Sequence, residues 1–503
     1  MKNSKFKYFT RLELENIKCF GTKQSLDLSD GNGNPTKWNL ILANNGFGKT
    51  TLLQCLAWMR PEPANDAAEL IKRVDDENGV SYVRLNRRIE APKKGNGKNE
   101  DGPNVITLVP ALQNIEDNSF FSNLPKSSKK KLRLIAEISN GKNLVNTQFH
   151  NETLSQGREK GDAGIDSIIT GIDITFEENG VLGDYISEGN VEIENDEDTV
   201  KNLEFPFIVV YGASRYMGRE NKDDSKLKDP ISDRLTESHE LYDVEEILQD
   251  LDYAHLKFGK KRDKDYFEEV KKTIVRVLNL ESSENIHINP TKRIKGSPNP
   301  DGVSFTTFSG EVGISALSLG YKTTLAWTLD LAWRLYEKYP ISDDPLKEPA
   351  IVLIDELDLH LHPKWQLRIM DDLTKTFPNV QFIATSHSPL LVQSAPTTNF
   401  AVIQKHDTEV VIKNDPIVIK SWRVDQILNS ELFGLTTYRD KETEQIYQQR
   451  DELLNKSKRT SKEEIQLRQL EEKILSLPTA TNLEDIEAMK LIREAAQLLK
   501  QGK

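Results

Sequence analysis

The stretch "NLILANNGFGKTTLLQCL" at residues 39–56 constrains this chain more than any other. An apolar, strand-like run, Leu40-Ile41-Leu42, breaks into a loop of small residues, and Lys49, Thr50 and Thr51 open a run that reads as helix. Strand, glycine-bearing loop and helix in that order make a phosphate-binding loop. Gly46 and Gly48 let backbone approach a phosphate with no Cβ in the way, while loop N–H groups and the helix N-terminus supply positive potential. Lys49 is expected to reach the β- and γ-phosphates of a nucleotide, and the Thr50 hydroxyl to ligate Mg2+. Asn45 and Thr51 complete the expected ATP-binding set. Ala43 stands where such loops usually begin with glycine, which is tolerated if that residue keeps φ below zero. The competing reading is a glycine-rich turn that binds nothing, and Lys-Thr at the helix start argues against it.

Further apolar runs end in polar residues. "AIVLIDE" (350–356) is a continuous apolar strand that delivers Asp355 and Glu356 to its C-terminal end. Asp355 there can hold Mg2+ through water, and Glu356 can orient and deprotonate an attacking water. "SALSLGYK" (315–322) opens a helix with Ser318 and Gly320 at its N-terminus, a second anion site or an ordinary N-cap. "TSHSP" (385–389) ends another apolar strand, where His387 can hydrogen-bond a γ-phosphate or simply occupy a turn. "DLHLHP" (358–363) sets His360 and His362 two apart, a weak metal spacing with only Asp358 at hand as a further ligand. A loop that touches a partner subunit is the better reading. Apolar strands alternating with helices imply an α/β fold with a mixed, mostly parallel sheet and its active groups at the strands' C-terminal ends.

At 503 residues the chain exceeds one compact core. A net charge of −12 argues against wholesale coating of nucleic acid, leaving room for a local basic groove. Cys19 and Cys55 are too few for a disulfide framework or a Cys-x-x-Cys zinc site. No apolar stretch reaches membrane length and the N-terminus lacks an apolar signal region, so a cytoplasmic protein with no membrane partner is expected. Residues 1–60 read as the first part of the catalytic core, and 61–205 as an inserted α+β lobe with strand candidates "SYVRLN", "VITLVP" and "LRLIAEI". Residues 206–405 read as the rest of the core. From 406 to 503 a mainly helical extension is expected, with two helices joined near Ser457–Ser461 and a last one over "NLEDIEAMKLIREAAQLLKQ".

The order strand-"ANNGFGKTT", "LSLG", "IVLIDELDLHLHP", "SHS" resembles the ABC-type ATPases of the RecF/SMC/OLD group, over about 1–60 and 205–405. That resemblance implies two ATPase heads sandwiching two ATP molecules. Lys49 and Thr50 of one head would bind the nucleotide, and Ser318 and Gly320 of the other would close over its γ-phosphate. Asp355 and Glu356 would be the Walker B pair, Asp358 would lie in the dimer-facing D-loop, and His387 would be the switch histidine. "LSLG" departs from the fuller LSGGQ, with Tyr321 in the place of glutamine, and Gln54 lies in the helix after the loop, not in a glutamine loop. "VVYGASR", "DLHLHPKWQ" and the helical tail narrow the resemblance to ATPases of anti-phage defence loci of the Septu and retron type, with the PARIS ATPase second. Such proteins imply a homodimer or higher homo-oligomer and a separately encoded nuclease or toxin effector, here met by the C-terminal helices. A DNA-clamp ATPase is the main alternative, on the basic runs 126–133 and 257–264. A slow-hydrolysing scaffold is another. A self-contained nuclease is disfavoured because the last ~115 residues look helical and carry no Asp-x-Asp on strands.

Overall fold

The computed structural model describes residues 8–15, 17–44, 46–59, 207–220, 235, 239–259, 261–288, 302–307, 310–394, 398–406, 409–414, 422–428, 430, 433, 441–456 and 459–476. Strands between 61 and 192 are described by their backbone. The chain divides into two compact units, Met1–Phe433 and Gly434–Lys503.

The first unit is built on a six-stranded sheet. Its strands are β3 (Trp38–Ala43), β4 (Ile208–Tyr211), β5 (Ala350–Ile354), β6 (Val380–Ser386), β7 (Asn399–His406) and β8 (Glu409–Asn414), after β1 (Tyr8–Glu15) and β2 (Gln24–Asp27). The order is β4-β5-β6-β3-β7-β8; all neighbours run parallel except the edge pair β7–β8. The mixed, mostly parallel sheet read from the sequence is therefore present.

The apolar runs are continuous because both faces of this sheet are covered. Trp38, Leu40, Leu42, Val352, Ile354 and Phe382 face one core; Ile41, Leu353 and Ile383, alternating with them, face the other. Helix α1 (Lys49–Trp58) belongs to the second core and buries Leu52, Leu53, Cys55 and Leu56. A helix apolar on most of its faces must lie inside, and this one does. The first core is filled by α2 (Val244–Phe258), α3 (Lys261–Leu278) and α4 (Leu319–Lys338). Inside α4, Asp330 is fully buried, pairs with Arg334 at 2.7 Å and accepts from the Tyr211 hydroxyl at 2.7 Å, which ties α4 to β4.

A second, antiparallel sheet has the order β2, β1, Lys130–Ser139, Ser167–Phe176. The strand candidates of the 61–205 region appear at Ser81–Leu85, Val105–Pro110 and Lys130–Ser139. The last pairs with β1, Leu12 opposite Ala136, while Ser81–Leu85 and Val105–Pro110 lie in other sheets. One side chain sews the two sheets together. Gln381 of β6 accepts from the Phe9 N–H at 2.9 Å and donates to the Phe9 carbonyl at 2.8 Å, as a neighbouring strand would. At the other end, the core sheet runs to Asn414 and the first unit to Phe433.

In the second unit, α5 (Lys441–Leu454) and α6 (Ser461–Ser476) form a hairpin joined where the sequence suggested. Leu453, Leu467 and Leu470 make its small core. Thr460 and Glu463 form a reciprocal capping box: the Thr460 N–H donates to Glu463 at 2.7 Å and the Glu463 N–H to the Thr460 hydroxyl at 3.4 Å. The helix expected near the C-terminus lies outside the described residues, and among those described no helix is long and apolar enough to cross a membrane.

Candidate functional site: a phosphate loop facing two carboxylates

The loop between β3 and α1 has the conformation its glycines allow. Gly46 and Gly48 have φ of 81° and 86°, in the left-handed region that L side chains avoid. A Cβ on Gly48 would press on the Cys19 Sγ and the Phe20 ring, so this glycine is required by crowding as well. A Cβ on Gly46 would meet nothing within 4 Å, so there the left-handed backbone alone calls for glycine. Ala43 ends β3, and Asn45 lies outside the described residues.

Parallel order brings the ends of β3, β5 and β6 side by side, and their polar tails meet. The Thr50 hydroxyl donates to an Asp355 carboxylate oxygen at 2.7 Å across 305 residues of sequence. The other Asp355 oxygen accepts from the Thr385 hydroxyl at 2.6 Å. Lys49 is nearly buried; its Nζ donates to the carbonyls of Ala43 (3.1 Å) and Asn44 (3.4 Å) and lies 2.5 Å from His387 Nε2. Burial lowers the Lys49 pKa, while Asp355, Glu356 and Asp358 oppose the shift. Burial and then the Lys49 charge lower the His387 pKa. Asp358 accepts from the His387 backbone N–H at 3.3 Å, joining the loop after β5 to the end of β6. Thr51 is buried in the first turn of α1.

Glu356 sits at a turn with φ of 49°. Its N–H donates to the Thr385 hydroxyl at 2.7 Å, and the Leu357 N–H to the Thr385 carbonyl at 2.9 Å. On the other side lies a residue to which no role was given in advance. Arg215, 5% exposed, donates to the carbonyls of Gly212 (2.8 Å), Asp355 (2.7 Å) and Glu356 (3.1 Å). Burial pushes its pKa down to about 10 against the pull of Asp355 and Glu356. The arginine in "VVYGASR", four residues past an apolar strand, was the available signal, but an arginine is ordinarily a surface residue.

Ser318 and Gly320 join this cluster only indirectly. Ser318 is exposed at the start of α4, and its side chain caps nothing. Gly320 is buried, and the space a side chain would take is filled by the carbonyl of His360, which itself has φ of 62°. Tyr321, in the glutamine's place, packs edge-on against Trp365 with centroids 3.9 Å apart. Gln54 is buried and accepts from Lys18 at 3.2 Å, away from the phosphate loop. His362 accepts from the Lys364 N–H and caps a short helix, and among the described residues no His/Cys/Asp/Glu cluster could hold a metal ion by itself. Thr50 and Asp355 are a different donor set, a hydroxyl and a carboxylate. Such hard oxygens fit an ion like Mg2+, which takes most of its ligands from water and substrate phosphates.

Two of three similar proteins are named as probable ATPases. The "Retron Vc95 probable ATPase" of Vibrio cholerae serotype O1 biovar El Tor is 24% identical over 79% of this chain and 74% of its own length. The "Retron Ec83 probable ATPase" of Escherichia coli is 40% identical over 23% of this chain, and "Septu protein PtuA" of Bacillus mycoides (strain KBAB4) is 36% identical over 24%. Those two matches span 21% and 16% of the relatives' own lengths. The resemblance to retron and Septu ATPases drawn from the motifs is thus met by sequence relatives. A family model described as "AAA domain, putative AbiEii toxin, Type IV TA system" matches residues 44–393, well over half of the chain, and the chain belongs to that AAA-domain family.

Proposed function

We propose that this chain binds and hydrolyses ATP as an ABC-type switch, and that as part of an anti-phage defence complex it controls a separately encoded nuclease or toxin. The observation that carries the ATPase reading is the 2.7 Å contact between the Thr50 hydroxyl and the Asp355 carboxylate. It brings the phosphate loop and the acidic strand end together, and Thr50 and Asp355 are the residues that would hold Mg2+. Bound there, the ion would neutralise charge on the β- and γ-phosphate oxygens. Lys49 is held at the loop to meet the same phosphates. Glu356, one residue beyond the Mg2+ ligand, takes the proton of the attacking water. The defence role draws on the retron and Septu names of the relatives, and the effector contact is assigned to the second unit, which makes its own small core.

For the DNA-clamp alternative, Lys261 and Lys264 of the run 257–264 are exposed, while two other basic residues of the run are engaged within the chain. Lys257 is engaged with the Tyr253 hydroxyl at 2.5 Å, and Arg262 donates to the carbonyls of Ser342 and Tyr339 while lying over the Tyr336 ring.

The test is the particle mass of the Glu356→Gln protein in solution with and without Mg-ATP, beside Lys49→Ala. Glutamine keeps the nucleotide but removes the base, so mass is expected to double or more on adding Mg-ATP. Lys49→Ala is expected to bind no nucleotide and keep its mass. A large mass that ignores ATP would favour the scaffold, and tight ATP binding by Lys49→Ala would sink the loop reading.

A further inference from the structure

The two carboxylates of the site lie at the end of β5, where regular pairing stops. The last ladder contact there is the Asp355 N–H to the Tyr211 carbonyl at 2.8 Å. Beyond it the chain turns through Glu356, whose φ of 49° is unusual for a residue with a side chain. Such a conformation persists only where the surroundings impose it. From the β6 side, Thr385 takes the N–H groups of Glu356 and Leu357. That leaves the carbonyls: Arg215 donates to both of those at 355 and 356, and the one at 356 also accepts from the Leu359 N–H at 3.1 Å.

We propose that Arg215 is a positioning residue: its buried guanidinium grips the carbonyls of Asp355 and Glu356 and holds Glu356 in the left-handed conformation from which its carboxylate acts. The inference rests on the ATPase reading given above. Its support is the way the arginine is used. A buried guanidinium ordinarily forks onto a carboxylate. Here the hydrogen bonds go to main-chain oxygens, and Nε has no hydrogen-bond partner among the described residues. A cation taken out of water for that purpose secures the path of the backbone. The rigid planar fork reaches two successive carbonyls at once from Nη1 and Nη2, which the single ammonium of lysine does not reproduce. Arg215, four residues past the end of β4, and Thr385 of β6 thus clamp one turn from opposite sides, Arg215 binding its carbonyls and Thr385 its N–H groups.

The test compares the full-length wild type with Arg215→Lys and Arg215→Gln. Two readouts are used: amide hydrogen exchange of a peptide spanning 355–361 in the nucleotide-free protein, and ATP turnover together with ATP affinity. Exchange in that peptide is expected to quicken about tenfold or more, with the peptide spanning α1 unchanged. Turnover is expected to fall at least about tenfold while ATP affinity stays within about twofold of wild type. Unchanged exchange at 355–361, or turnover like that of the wild type, overturns the positioning role. So does a parallel fall of turnover and affinity, or failure of both variants to fold, since either marks a general structural part. Should the wild type hydrolyse no ATP while exchange responds as expected, the ATPase reading falls and the role in hydrolysis falls with it. That outcome is distinct from an active wild type whose exchange ignores Arg215.

Discussion

Lys49 and His387 hold each other in this structure, and their contact sets a pH dependence. A nitrogen of His387 can accept from the Lys49 ammonium at 2.5 Å only while it is unprotonated. Burial and the lysine charge both keep the imidazole pKa below its ordinary value. At pH values above that ordinary value, roughly 6.5, the ring is neutral folded or unfolded and contributes no slope. As pH falls through it, the unfolded chain takes up the proton first, so folded stability is lost down to the lowered pKa of the native ring. The melting temperature of the nucleotide-free protein is therefore expected to drop from about pH 7 toward 5, and His387→Gln to drop less steeply over the same range. Equal slopes for the two proteins would contradict the assignment.

At the scale of elements, the start of α4 is the informative place. Ser318 and Gly320 are two residues apart and their surroundings differ sharply. Ser318 is exposed and makes no capping bond, so Ser318→Ala is expected to change stability by less than about 0.5 kcal/mol. A methyl group on Gly320 would overlap the carbonyl of His360 in the loop after β5. Gly320→Ala is therefore expected to cost about 1–3 kcal/mol, read by urea denaturation, as the loop or the helix gives way. Wild-type stability in that variant would show the contact to be dispensable. The same contact sets α4 directly against the loop that holds Asp358, whose carboxylate reaches the His387 backbone. A shift of the helix start therefore has a short route to the phosphate end of the site.

At the scale of the molecule, Met1–Phe433 holds the sheet, both cores and every described site residue, while Gly434–Lys503 closes a small core of its own. A chain ending at Phe433 is thus expected to fold and to keep its ATP affinity within about twofold, some 0.4 kcal/mol. The proposed effector contact is expected to be lost. Calorimetric melting and nucleotide titration check the first statement, and co-purification with the effector checks the second. A truncated chain that melts without a cooperative transition would show the units to be interdependent.

Much of the site was legible without the fold, because its parts are local. A glycine loop between strand and helix, and an apolar strand ending in two acids, are patterns within a dozen residues whose chemistry follows from residue type and spacing. The strand runs were legible for the same reason: burial on both faces leaves continuous apolar segments. The tertiary structure alone decided which ends meet. The contacts of Thr50 with Asp355, Lys49 with His387, and Gln381 with Phe9 each span more than 300 residues, and they follow from the order in which the strands lie side by side. No periodicity records that order. Arg215 was hidden for the same reason, since a charged residue at a strand's start announces its burial only once the neighbouring strand is in place. The pairing of Lys130–Ser139 with β1 was likewise beyond local reading, because an antiparallel partner more than a hundred residues away leaves no mark on either strand.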